Sequence, residues 1–243
     1  MQIGNGIKKS LYRQRAHANP FKDSNITVPP SPQLIDWSSY FRMNRRPDFV
    51  DIGCGYGKFL MKVAEKNPEH SILGLEIRDK VCEYVKARIE AAGIPNAGVM
   101  RTNALIFLPN IFSRGQLTKI FILFPDPHFK KRKQKGRIVC RQMMEMYEYL
   151  LADGGKLYIS TDVKELFNYM MEAVLGHGAF RALSENEVGG DELFHMISRD
   201  TDEALRAGAK AGKVFSKVFE IKKDWHYSFH LRLQRSIGQS SSF

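Results

Sequence analysis

The sequence predicts an α/β protein built on a doubly wound, mostly parallel sheet, on the strength of three observations. Apolar strand-like runs and amphipathic helical runs alternate about five times between residues 49 and 175. A glycine-rich turn closes the first strand. The fourth strand, KIFILF, is an apolar run without polar alternation, the pattern of a strand buried on both faces.

The elements follow in order. Residues 1–47 lack sustained periodicity and contain VPPSP at 28–32, so they form an irregular arm. DFVDIG is a short strand, and KFLMKVAEK, with Phe59, Leu60, Val63 and Ala64 on one face, is a helix. SILGLEI is a buried strand. DKVCEYVKARIEAAG is a helix whose Val81, Val85 and Ile89 recur every four residues before a stop at Gly93. AGVMRTNA and KIFILF are two more strands. RQMMEMYEYLLADGG is a helix with Met143, Tyr147, Leu150 and Leu151 inward, running into the strand KLYIST. Asp162 and Glu165 form a capping pair for the helix DVKELFNYMMEAVL. The remainder, including AGKVFSKVFEIKK, suits one or two further strands, with SIGQSSSF as a loose tail. The chain therefore divides into an arm at 1–47, a domain at 48–225 and a tail at 226–243.

A chain of 243 residues, 43% hydrophobic and 26% charged, holds one large core. No run approaches the roughly 18–20 apolar residues of a membrane span, and the N-terminus lacks a signal peptide's apolar centre, so an intracellular protein without a membrane partner is expected. Cys54, Cys82 and Cys140 are odd in number and far apart, with no CxxC pair. Three reduced thiols and no metal are the expectation. Net charge is +11, concentrated in the arm and in 128–137, where Lys130, Lys131, Arg132, Lys133, Lys135 and Arg137 crowd together. Charge so localised favours a polyanion, because neutralising phosphates releases counterions. A solvated surface and a nuclear-localisation signal are the rival readings of that run.

The first strand ends in 51-DIGCGYGK-58, a loop whose glycines let backbone approach a ligand and lead into a helix N-terminus. A dinucleotide GxGxxG would need glycine where Lys58 stands, and a P-loop needs four residues between its glycines where Gly53 and Gly57 have three. The loop instead resembles the D/E-x-G-x-G-x-G of class I S-adenosylmethionine-dependent methyltransferases, which predicts their Rossmann-like fold. Glu76, 23 residues after Gly53, stands near the spacing of about 20 at which an acid accepts from ribose hydroxyls. At the carboxyl end of the fourth strand, where this fold places chemistry, 125-PDP-127 holds Asp126 between two prolines that restrict its backbone.

Together, 12-YRQRAHANP-20, 51-DIGCGYG-57, 73-LGLEIR-78, 115-GQLTKIFILFPDPHFK-130 and 160-STDV-163 resemble the catalytic subunit of eukaryotic-type tRNA (guanine-N7)-methyltransferases. The resemblance spans residues about 12 to 220. It implies methyl transfer from S-adenosylmethionine, without metal, to N7 of a guanosine in the tRNA variable loop. It implies that Gly53, Gly55, Gly57, Glu76, Ile77, Arg78, Asn103, Ala104 and Leu123 form the donor site and that Asp126 is the active-site residue. Thr201 and Glu203, in DTDE, match the family's T-x-E on the substrate side. A tRNA-binding set of Arg13, Arg15, His17, His128, Lys130, Lys131, Arg132 and Lys133 is expected, the arm's residues ordering on binding. The resemblance further implies a non-catalytic WD-repeat β-propeller partner and residence in the nucleus, with the cytoplasm as the alternative. Two other readings compete: an idle RNA-binding subunit on a methyltransferase fold, and a methyltransferase acting on another RNA base or a protein. A nicotinamide dehydrogenase is disfavoured by Lys58.

Overall fold

Strands β1 (Phe49–Ile52), β2 (Ile72–Glu76), β3 (Ala97–Arg101), β4 (Leu117–Leu123), β5 (Leu151–Thr161), β6 (Phe180–Ala182) and β7 (Phe215–Ile221) form one sheet in the order β3-β2-β1-β4-β5-β7-β6. The structure is a computed structural model that describes residues 7–12, 14, 26–42, 44–127, 136–201, 204–205 and 213–222. β1 runs parallel to β2 and β4, β2 to β3, and β4 to β5, while β7 is antiparallel to both β5 and β6. The chain leaves β3 at one edge and re-enters beside β1, so the order reverses between β1 and β4. That reversal opens a crevice beyond the carboxyl ends of these two strands.

Helices cover both faces: α1 (Lys58–Lys66), α2 (Asp79–Ala92), α3 (Ala104–Ile111), α4 (Arg141–Leu150) and α5 (Lys164–Leu175), with short α6 (Glu185–Val188) and α7 (Glu192–Ile197) before β7. Side chains alternate along each strand, and so divide the core in two. Val50, Ile52, Leu73, Leu75, Ile120, Ile122, Leu157 and Ile159 pack in the layer with α3, α4 and α5. Phe49, Ile72, Phe121, Tyr158 and Val218 pack in the layer with α1, α2 and α7. Phe121 sits at its centre, with ring centroids 5.0 Å from Phe59 and 4.7 Å from Tyr158. Each such buried side chain contributes about 1.5–3 kcal/mol.

Several boundaries differ from the sequence reading, for local reasons. β4 stops at Leu123 because Phe124 turns to φ +50°, and β3 stops at Arg101 because Asn103 caps α3. β6 and β7 are the one or two further strands expected after α5, while α3, with Pro109 inside it, has no counterpart in the sequence reading, nor have α6 and α7. LADGG is not the end of a helix: α4 stops at Leu150 and β5 begins at Leu151, with an irregular register to β4 that lets Gly154 adopt φ +69°. The capping pair for α5 is absent. Its N-cap is Val163, without a side-chain hydrogen bond, and Thr161 Oγ1 accepts from the Val163 amide at 3.2 Å instead. Within the arm, Trp37 and Phe41 are buried in the core, and Arg42 N donates to Pro95 O.

Candidate active site

The crevice is built from the first glycine loop upward. Gly53, Gly55 and Gly57 take φ of +79°, +54° and +73°, a left-handed series that side chains with a Cβ resist. The amides of Gly53 and Cys54 both donate to Leu75 O, at 2.8 and 3.1 Å, which docks the loop onto β2. Gly57 is the N-cap of α1, and its conformation turns the loop straight into the helix. A shallow cleft lies over this turn, lined by Asp51, Gly53, Cys54, Tyr56, Lys58, Phe59, Leu123 and Thr201. The β1–β4 register pairs Asp51 with Phe121, so the chains beyond them bring Gly53 and Leu123 to the same wall.

Beside the cleft, Glu76 ends β2 with 5% of its surface exposed. Its Oε1 accepts from the amides of Ile77 and Arg78 at 2.8 and 3.0 Å, and Arg78 closes a two-point pair through Nε to Oε1 at 3.1 Å and Nη2 to Oε2 at 2.7 Å. Burial works against the charge of Arg78; the hydrogen bonds and charge of Glu76 overcome it and hold the guanidinium above its ordinary range. Thr102 N donates to Glu76 O at 2.9 Å, which brings the end of β3 alongside. There Asn103 caps α3 by accepting from Leu105 N at 3.1 Å, and Ala104 begins the helix.

At the carboxyl end of β4, Phe124 carries one of two positive φ values among described non-glycine residues. Such a conformation costs about 1–3 kcal/mol and persists only where its surroundings enforce it. Here Phe124 N donates to Ser160 O at 2.8 Å, tying the turn to β5. The turn carries half-buried Asp126 three residues beyond Leu123, on the carboxyl side of β4. Thr201 comes from the other side, 5% exposed, its Oγ1 accepting from Ala204 N at 2.8 Å. The neighbouring Asp200 accepts from Lys62 on α1, so this segment is fastened to the helix that the glycine loop starts.

Among the residues singled out in the sequence, Gly53, Leu123 and Thr201 line the cleft, while Gly55 and Gly57 lie in the same loop and Asp126 on the turn that follows β4, outside the lining. Glu76, Ile77, Arg78, Asn103 and Ala104 gather at the ends of β2 and β3. Arg13, Arg15, His17, His128, Lys130, Lys131, Arg132, Lys133 and Glu203 lie outside the described residues, as does the tail at 226–243. Sequence reasoning passed over Asp51, Cys54, Tyr56, Lys58 and Phe59 as lining residues. Their signal was their place inside the DIGCGYGKF stretch itself.

The lining fits a nucleoside carrying both a positive centre and a carboxylate. Asp51, 3% exposed, supplies a carboxylate, Lys58 a cation, and Phe59 and Leu123 apolar walls, beside Gly53, which has no side chain to fill the space. Among the described residues no cluster of His, Cys, Asp and Glu could hold a metal ion, and no helix is long and apolar enough to cross a membrane. Burial disfavours the thiolate form of the two cysteines near the site. Burial, then the charges of Asp51 and Glu76, pushes Cys54 well above the ordinary thiol range, and burial with Glu76 and Asp79 pushes Cys82 up to about 12. At pH 8 the Cys82 thiolate is therefore about a thousandfold scarcer than in an unperturbed thiol, and iodoacetamide should label it only after denaturation. Peptide mapping of native and unfolded protein checks this; labelling of native Cys82 at a free-thiol rate would contradict the burial.

Residues 45–217 match a family model described as "Putative methyltransferase". A Caenorhabditis elegans protein named tRNA (guanine-N(7)-)-methyltransferase is 40% identical over 223 residues, covering 87% of each chain. Proteins of the same name from Brugia malayi and Arabidopsis thaliana are 41% and 37% identical, over 87% of this chain and 86% and 90% of theirs. Among solved structures, the 16S rRNA methyltransferase KamB is 19% identical with a TM-score of 0.49, covering 73% of this chain and 89% of that one.

Proposed function

This chain belongs to the family of eukaryotic tRNA (guanine-N7)-methyltransferases, and from that membership we propose how its crevice performs the reaction. The protein is an S-adenosylmethionine-dependent enzyme that methylates N7 of guanine in tRNA, on a Rossmann-like class I methyltransferase fold. One observation supports the assignment of the site: the glycine loop after β1 and Leu123 at the carboxyl end of β4 line one cleft where the strand order reverses, and the PDP turn follows directly on Leu123 and Phe124.

In this reading Gly53, Gly55 and Gly57 cradle the donor, Glu76 accepts from its ribose, and Asn103, Ala104, Ile77 and Leu123 border its base. Asp51 and Lys58 suit its charged amino-acid end. Bound there, S-adenosylmethionine supplies an electrophilic methyl group on a sulfonium that is already a good leaving group. Guanine N7 carries an in-plane lone pair and is unprotonated near neutral pH, so the chain needs no general base. Its work is positioning: N7 in line with the methyl carbon, in a site cleared of water. Asp126 accepts from guanine N1–H and the exocyclic amine, which rejects adenine and steadies the positive charge growing on the purine. Thr201 and Glu203 close on the substrate side.

Lys130, Lys131, Arg132 and Lys133, with His128 and the arm's Arg13, Arg15 and His17, hold phosphates of the tRNA, since phosphate contacts position while base contacts specify. The target is a guanosine in the variable loop, and a WD-repeat β-propeller subunit is the partner. The nucleus is the proposed location on the family resemblance, with the cytoplasm as the alternative, and imaging of a tagged chain tests it. The division into arm, domain and tail stands as part of the same reading.

The test is to incubate the purified chain with radiolabelled donor and bulk tRNA, with and without the propeller subunit. Base-specific cleavage then maps N7-methylguanosine. Label at a variable-loop guanine is the expected result. Absence of label in both samples while the donor still binds would overturn the reading in favour of an idle RNA-binding subunit or another substrate.

A further inference from the structure

We infer that Arg137 is a positioning residue that fixes the Asp126 turn, and does not share the phosphate-binding role proposed for Lys130, Lys131, Arg132 and Lys133. In sequence it is the last cation of the basic run. In the structure its Nε donates to the Pro127 carbonyl at 3.1 Å, and its guanidinium lies over the Tyr169 ring at 4.1 Å. Tyr169, on α5, is itself half-buried against the core. The backbone around Arg137 is anchored: fully buried Tyr147 donates from its hydroxyl to Ile138 O at 2.8 Å, and Val139 is core. The guanidinium therefore joins the two ends of the 128–136 stretch and ties the residue after Asp126 to α4 and α5.

The residue two places before Asp126 is tied as well. Phe124, at φ +50°, donates its amide to Ser160 O on β5. The Asp126 carboxylate thus projects from a short turn held from both sides, one hold being Arg137. A planar guanidinium suits that task, because it stacks on an aromatic face while an edge N–H reaches a carbonyl; a lysine ammonium, a compact point charge, has no planar face to stack and no rigid edge to aim. This stacked, hydrogen-bonded arrangement turns the cation toward the protein.

The inference rests on the methyl-transfer reading for its catalytic consequence, so the test has readouts with and without catalysis. In the full chain, R137K and Tyr169→Leu are compared with wild type and with Tyr169→Phe, which keeps the ring. We expect R137K and Tyr169→Leu to lower the single-turnover methylation rate about tenfold to a hundredfold, with donor and tRNA affinities within about twofold. The double variant should be no slower than the worse single one, because the two side chains act as a unit. Amide exchange across 121–127 should speed up in R137K, and Tyr169→Phe should match wild type throughout. The salt dependence of tRNA binding, read by anisotropy, should keep its slope. A slope reduced by about one, with tRNA affinity lost and the amide exchange of 121–127 unchanged, is the signature of a phosphate contact and overturns the proposal. A wild-type chain that makes no N7-methylguanosine sinks the methyl-transfer reading alone, since exchange and salt slope still decide the role of Arg137.

Discussion

Asp126→Asn is expected to lower the single-turnover rate of tRNA methylation by about a hundredfold or more, while donor binding by calorimetry and tRNA binding by anisotropy stay within about twofold of wild type. The substitution keeps size and shape, and two contacts of other groups help to hold the turn, from Phe124 N to Ser160 O and from Arg137 to Pro127 O. What changes is the charge and the acceptor pair. An asparagine presents one oxygen and one amide donor, so it cannot accept from both N1–H and the exocyclic amine of guanine. It also offers no negative charge to the purine as that becomes cationic. Because the guanine nucleophile needs no deprotonation, the loss should appear in the rate of the chemical step and in the preference for guanine over adenine, not in a shifted pH profile typical of a lost base. Asp126→Glu is the companion variant: it keeps the charge but moves it by a methylene, and it should recover only part of the rate. An Asp126→Asn protein methylating at full speed with both ligands bound normally would remove the carboxylate from the mechanism.

The sequence carried the parts of this site that depend on local pattern. The helix KFLMKVAEK is α1 residue for residue, and Gly93 stops α2 as expected, in the left-handed conformation. Those elements are read easily because periodicity and a terminating glycine are local signals. Features set by long-range contact were illegible. Nothing near Trp37 announces that it enters the core, since its partners are far along the chain. The α5 capping pair failed because Thr161, inside the buried end of β5, was better placed to meet the Val163 amide than Asp162, which faces solvent. Arg137 makes the same point at the site. As a letter it belongs to a basic run, and only the fold brings Tyr169 and Pro127 to it from opposite sides.

The glycine loop should be as sensitive as the carboxylate, through donor affinity instead of rate, and Gly57 is where the effect concentrates. A Cβ there would stand 2.7 Å from Val85 Cγ1, on a residue whose backbone has φ +73°. Val85 is fully buried in the layer between α2 and the sheet, so it has little room to yield. Gly57→Ala is therefore expected to cost on the order of 2–4 kcal/mol, combining left-handed strain with overpacking. It should also weaken donor binding about tenfold or more, because the misplaced turn carries Gly53, Gly55 and Tyr56 with it. Gly93→Ala separates the two causes. Its φ is +67°, nearly that of Gly57, yet nothing lies within 4 Å of the added Cβ, and it caps α2 at the end of the helix remote from the loop. It should pay only the strain and leave donor affinity unchanged. Val85→Ala in the Gly57→Ala background then relieves the contact without touching the backbone angle. Chemical unfolding should find the pair non-additive by about 1 kcal/mol or more, with part of the donor affinity restored. Strict additivity would place the cost in the backbone alone, and wild-type donor affinity in Gly57→Ala would mean that this loop does not cradle the donor.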